Sequence, residues 1–96
     1  PLVLVAPIAQ DDAAEAIRIA QSLRGQGHQV ELDLRYRGAR GNLRHADRSG
    51  FRHVVLIGER ERADSAVLLR DMLKREERLV AQTDLSRALH GSEVPA

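Results

Sequence analysis

Six arginines stand between residues 35 and 52: Arg35, Arg37, Arg40, Arg44, Arg48 and Arg52. Asp47 is the one acid in that stretch, so a chain whose net charge is only +1 conceals a strongly basic segment. A guanidinium presents a fixed fork of donors that matches phosphate and carboxylate oxygens. On a helix Arg40, Arg44 and Arg48, at i, i+4 and i+8, line one side. That pattern suits a phosphate backbone, and equally a solvated face paired with acids elsewhere. A second polar cluster, Gly58-Glu59-Arg60-Glu61, follows the apolar run Val54-Val55-Leu56-Ile57. Carboxylates beyond the end of a buried strand can accept hydrogen bonds from a base edge, an amine or a neighbouring arginine, although an exposed charged turn has the same composition.

Other chemistries find no support. The absence of cysteine excludes a disulfide framework, a thiol nucleophile and a cysteine-ligated metal. His28, His45, His53 and His90 lack metal-ligand spacing, and Asp11 and Asp12 fit helix capping better than metal binding. Ser22, Ser49, Ser65 and Ser86 lack the context of a nucleophile elbow. His45 and Asp47 would lie about 200° apart around a helix, which rules out a dyad. Gly25-Gln26-Gly27 follows a helical pattern and reads as a stop, not as a dinucleotide loop. Gly38-Ala39-Arg40-Gly41 has the GXXG form of a KH loop but follows a strand where that loop joins two helices. No catalytic residue and no metal ligand is therefore assigned.

Ninety-six residues bound the chain to one domain. With 43% hydrophobic and 30% charged residues it can bury a core. No apolar run approaches the roughly 18 to 20 residues that span a bilayer, and no signal-peptide pattern opens the chain. Tyr36 and Phe51 are the only aromatic residues, which argues against a base-stacking platform. The chain opens at Pro1 without Met and reads as a strand from Leu2, so the expectation is a segment of a longer protein.

The elements that must position these residues follow from periodicity. Leu2 to Ala6 is a continuous apolar run ended by Pro7, a strand buried on both faces. Asp12 with Glu15 reads as a capping box, and Ala13, Ala16, Ile17, Ala20 and Leu23 make residues 12–24 an amphipathic helix that Gly25 and Gly27 stop. Val30, Leu32 and Leu34 alternate with Glu31 and Asp33 in a second strand. Residues 35–41 form a loop, a helix runs from Arg40, and His53 to Ile57 is a third strand closed by Gly58. Strand, helix, strand, helix, strand implies an α/β domain with a mainly parallel sheet. Residues 66–82 remain open between one helix, which propensity favours, and a hairpin of Ala66–Arg70 and Arg78–Gln82 around a charged turn near Lys74-Arg75-Glu76. Thr83 or Asp84 caps a last helix through Leu85, Ala88 and Leu89. The domain is expected over residues 1–90, with 91–96 as a loose tail.

Taken together, VLVAPI, AxxIAxxLRxxGHxVELDL, LRHADRSGxRxVVLIGExE and VLLRDM resemble the anticodon-binding domain of class II aminoacyl-tRNA synthetases, that of the histidyl-tRNA synthetases in particular. The resemblance runs from about Val3 to Leu89. It implies a mixed, mostly parallel five-stranded sheet flanked by helices, and hence the hairpin for residues 66–82. It further implies a non-catalytic module that binds the tRNA anticodon loop, using the end of the second strand (Arg35, Tyr36), the GExE turn (Glu59, Glu61) and a cation on the next strand (Arg70). Arg40 and Arg44 would hold the backbone of the loop. The implied parent is a cytoplasmic histidine–tRNA ligase that uses ATP and magnesium in a separate catalytic domain and can be a homodimer, with no membrane partner and no cofactor for this domain. Three places depart from the family pattern: Arg40-Gly41-Asn42 replaces a Lys-Lys-Gln-like stretch, Arg70 replaces a lysine, and Arg75-Glu76-Glu77 replaces a Gly-Glu-Gln turn. The alternative is a paralogue that keeps the fold as an interaction or regulatory module, such as the regulatory subunit of ATP phosphoribosyltransferase.

Overall fold

A computed structural model describes residues 2–93, with side chains through residue 90. Five strands form one sheet in the order β2-β1-β3-β4-β5: β1 is Leu2–Pro7, β2 Gln29–Leu32, β3 His53–Ile57, β4 Ala66–Asp71 and β5 Glu76–Ala81. β1 pairs in parallel with both β2 and β3, while β4 is antiparallel to β3 and to β5. The sheet is thus more evenly mixed than the mostly parallel expectation, although only β4 runs against the other strands. The helices are α1 (Ala13–Gly25), α2 (Gly38–Ser49), the short α3 (Glu59–Ala63) and α4 (Leu85–Glu93).

The order β2-β1-β3 reverses the direction of travel across the sheet. Right-handed crossovers then put α1 and α2 on opposite faces. One core holds Val3, Val5, Val55, Ile57, Val67 and Leu69 under Ala16, Ile19, Ala20 and Leu23 of α1 and Leu85 and Leu89 of α4. The other holds Leu4, Ala6, Val54 and Leu56 under Ala46 of α2 and Phe51. Central strands buried on both faces explain why β1 and β3 read as unbroken apolar runs.

Several expectations shift. A 3-10 turn, Gln10–Asp12, precedes α1, and the Asp12 carboxylate accepts the N–H of Ala9 at 3.0 Å rather than forming a box with Glu15. Glu15 instead takes Arg18 at 2.9 Å and Gln82 at 3.0 Å. β2 ends at Leu32, before the alternating Leu34, because Asp33 turns its carboxylate into the following loop. α2 starts at Gly38, two residues earlier than expected.

Residues 66–82 form the hairpin, with β5 beginning two residues before the expected Arg78. Helix propensity loses here because Val67, Leu69 and Val80 are buried in the α1/α4 core. The turn is held by Asp71, whose Oδ1 accepts the N–H groups of Leu73 and Lys74, both at 3.0 Å. Arg75 closes it in the left-handed region, at φ 58°. α4 continues to Glu93, so the first three residues of the expected loose tail are helical, and residues 94–96 of that tail lie outside the described residues.

Candidate nucleic-acid interface

The carboxyl ends of β2 and β3 lie at one edge of the sheet, about 10 Å apart across β1. From them project the loop carrying Arg35 and Tyr36 and the short helix carrying Glu59 and Glu61. α2 begins at the same edge and runs back antiparallel to β1 and β3. Arg40 therefore sits near the edge and Arg44 one turn further along, both exposed.

Asp33 organises the first loop. Its carboxylate is buried, with Oδ1 accepting the N–H of Arg35 at 2.8 Å and Oδ2 accepting Nε of Arg37 at 2.7 Å. Burial alone would raise its pKa, but the Arg35 N–H and the Arg37 guanidinium outweigh that and hold it below the ordinary carboxylate value. The loop so held places Tyr36 at φ 54°, a left-handed conformation rare for a non-glycine residue. Gly41 lets Arg37 lie against α2, since a Cβ there would come within 2.7 Å of the Arg37 Cβ. Asp33 escaped the sequence reading because it looked like one more polar position of an alternating strand. The signal available was Asp two residues before a loop N–H and four before an arginine.

Glu61 has an internal task. Its Oε1 accepts the N–H of Gly58 at 2.7 Å and so closes the start of α3. A Cβ at Gly58 would come within 2.8 Å of that oxygen. α3 is anchored further by Arg62, whose Nε donates to the buried Asp12. Glu59, exposed, is the carboxylate left facing outward.

Arg70 stands apart from this edge. It pairs with Val54 of β3 and Glu77 of β5, which places it near the opposite end of the sheet, on the α2 side. Its Nη1 lies 3.9 Å from the Glu77 carboxylate, and its buried Nε has no hydrogen-bond partner among the described residues. Beyond the flank of α2 this face of β4 and β5 is open, and Leu79 is 54% exposed.

The basic stretch resolves into two classes. Arg37 is paired with Asp33, and Arg52 donates Nε and Nη2 to Asp71 at 3.1 and 3.0 Å. Arg35, Arg40, Arg44 and Arg48 have exposed side chains that make no ion pair among the described residues. A groove between β5 and α4, lined by Leu69, Asp71, Arg78, Val80 and Ala88, lies elsewhere and gathers none of these four. No group of three or more His, Asp or Glu among the described residues is placed to hold a metal ion. No helix among them is long and apolar enough to cross a membrane.

Known proteins share this fold. The chain is 41% identical over 78 residues to a histidine–tRNA ligase of Rubrobacter xylanophilus, covering 79% of this chain and 18% of the relative. It superposes on a crystal structure of histidyl-tRNA synthetase from Nostoc sp. PCC 7120 with a TM-score of 0.92 at 26% identity, over 96% of this chain and 22% of that one. The RNA binding domain of threonyl-tRNA synthetase from Cryptosporidium parvum Iowa II shares the fold, with a TM-score of 0.83 at 19% identity, over 94% of this chain and 22% of that one. The chain spans about a fifth of the length of these relatives. The model of the anticodon binding domain matches residues 2–91, and the chain belongs to that family.

Proposed function

We propose that this domain recognises the anticodon loop of a histidine tRNA for a cytoplasmic histidine–tRNA ligase. The ATP and magnesium chemistry of such an enzyme would belong to its catalytic domain. The observation that carries this reading is the edge of the sheet from which the Arg35–Tyr36 loop, the start of α2 and the Glu59 end of α3 all project, with Arg35 and Arg40 free of ion pairs among the described residues. Glu59 can accept from the amine or imino groups of unstacked bases, Arg35 can donate to carbonyl oxygens, and Arg40 and Arg44 can hold the backbone. With Phe51 buried, Tyr36 is the one exposed aromatic, so binding rests on charge and hydrogen bonds. The test is titration of labelled histidine tRNA, and of the same tRNA with its anticodon exchanged, against the wild-type domain and R35A. The reading requires tighter binding to the native anticodon and a weakened preference in R35A. Equal affinity for the two tRNAs would remove it.

One observation favours a second reading, an interaction or regulatory module of a synthetase paralogue. Glu77 lies 3.9 Å from Arg70, so an anion faces the cation that the family resemblance assigns to RNA. That module would bind the catalytic subunit of ATP phosphoribosyltransferase and show no anticodon preference.

A further inference from the structure

The two outer strands of the sheet are finished differently. β2 has four residues, and the Arg24 guanidinium donates Nε and Nη2 to the carbonyl of Val30 at 3.3 and 2.9 Å. That carbonyl faces away from β1, because the N–H of Asp33 donates to Val5 and the direction alternates along the strand. A short strand whose free carbonyl is occupied is a guarded edge. β5 has six residues and no such guard. The N–H of Gln82 donates to the carbonyl of Ser65 at 3.0 Å, so by alternation Val80, Arg78 and Glu76 bond to β4. The N–H and C=O groups of Glu77, Leu79 and Ala81 then point outward, and no hydrogen bond reaches them among the described residues. Their side chains lie exposed on the open face, while on the other face a groove of about 580 Å³ separates β5 from α4 and leaves room beside the strand.

We propose that β5 pairs antiparallel with β5 of a second copy of this chain, about a two-fold axis at Leu79, so that the two sheets become one. This register is self-complementary. It sets Glu77 opposite Ala81 of the other copy, Leu79 opposite Leu79, and Ala81 opposite Glu77, and it engages every outward group in about six main-chain hydrogen bonds. The neighbouring registers conflict: an axis at Glu77 sets two carboxylates face to face, and one at Arg78 sets two guanidinium groups face to face. With the axis at Leu79, Arg78 lies opposite Val80, and the two Arg78 side chains approach only diagonally, over the groove. The 54% exposed Leu79 gains an apolar partner on the axis. β5 is the strand furthest from β2, so pairing leaves the two Arg35–Tyr36 loops at opposite ends of the joined sheet. The contact belongs to this domain itself and does not rest on the RNA reading.

The test is sedimentation of this chain over a concentration series, with amide exchange read residue by residue. Wild type should pass from monomer to dimer as concentration rises. In the dimer the amides of Glu77, Leu79 and Ala81 should exchange at least about tenfold more slowly, while those of Arg78 and Val80, already bonded to β4, stay unchanged. A81P separates pairing from folding, because Ala81 already has φ −60° and ψ 140° and its N–H is not used within the domain. A81P should therefore melt like wild type and raise the dimer dissociation constant at least about tenfold. L79K, which sets two cations opposite each other on the axis, should do the same. A wild-type chain that stays monomeric to near-millimolar concentration would overturn the proposal. So would a dimer that both variants leave intact, or protection that falls outside Glu77, Leu79 and Ala81, since either places the contact on another surface.

Discussion

Arg37 donates Nε–H to Asp33 Oδ2 at 2.7 Å, and this contact removes one of six clustered arginines from the exposed basic surface in order to fix the loop that holds Arg35 and Tyr36. Because Asp33 also accepts the Arg35 N–H, the conformation of Tyr36 depends on one buried carboxylate. D33A strands the Arg37 guanidinium and the loop N–H. It should cost about 2 kcal/mol by chemical denaturation, and weaken anticodon preference more than total RNA affinity. D33N retains an acceptor and should recover part of both. Full anticodon preference in D33A would show that the loop needs no such anchor.

Glu61 closes α3 through Gly58, so its substitution separates two roles. E61A should lose about 1 kcal/mol of stability through the missing hydrogen bond. E61Q keeps a carbonyl oxygen for the Gly58 N–H and should keep most of that stability. If Glu61 acts only as this cap, E61Q binds histidine tRNA like wild type. A clear loss in E61Q, with an unchanged melt, would assign the carboxylate to RNA.

At φ 58° Arg75 occupies a conformation that costs a side-chain-bearing residue about 1 kcal/mol. Glycine relieves this at a smaller cost in unfolded-chain entropy. R75G is therefore expected to raise Tm by about 2–6 °C, and a β-branched residue there to lower it. A lower Tm for R75G would mean that the arginine side chain holds the turn.

Asp71 gives the acid limb of stability. Burial would raise its pKa, but the Arg52 guanidinium and the Lys74 N–H bring it down to about 2 from 3.8. A carboxylate depressed in the folded state stabilises fully above its unfolded value and loses that contribution as pH falls through the folded one. The contribution of about 2 kcal/mol should be intact at neutral pH and disappear between about pH 4 and pH 2. Urea titrations from pH 7 to pH 2 should show this slope in wild type and a flatter one in D71N.

The strands β1 and β3 were legible because burial on both faces writes itself as an unbroken apolar run, and α1 because its apolar stripe is complete. The hairpin was not legible from local pattern. Leu68, Leu69, Met72, Leu73, Glu76 and Glu77 are good helix formers, and only burial of Val67, Leu69 and Val80 beneath α4 decides for strand. The same limit applies to the basic stretch. Spacing puts Arg40, Arg44 and Arg48 on one face, but Arg52 meets Asp71 from 19 residues away, and only the fold reveals that neutralisation. Glu59 and Glu61 look equivalent in sequence, and the turn of α3 assigns one outward and one to Gly58.

The most direct test of the central claim is the affinity ratio of the domain for histidine tRNA and for the same tRNA with an exchanged anticodon, measured by equilibrium titration at one salt concentration. An anticodon reader prefers the native anticodon by at least about tenfold, roughly 1.4 kcal/mol, and R35A and E59A each reduce that ratio. A ratio of one, with tight and salt-sensitive binding to both RNAs, would contradict anticodon recognition and leave only a nonspecific basic surface.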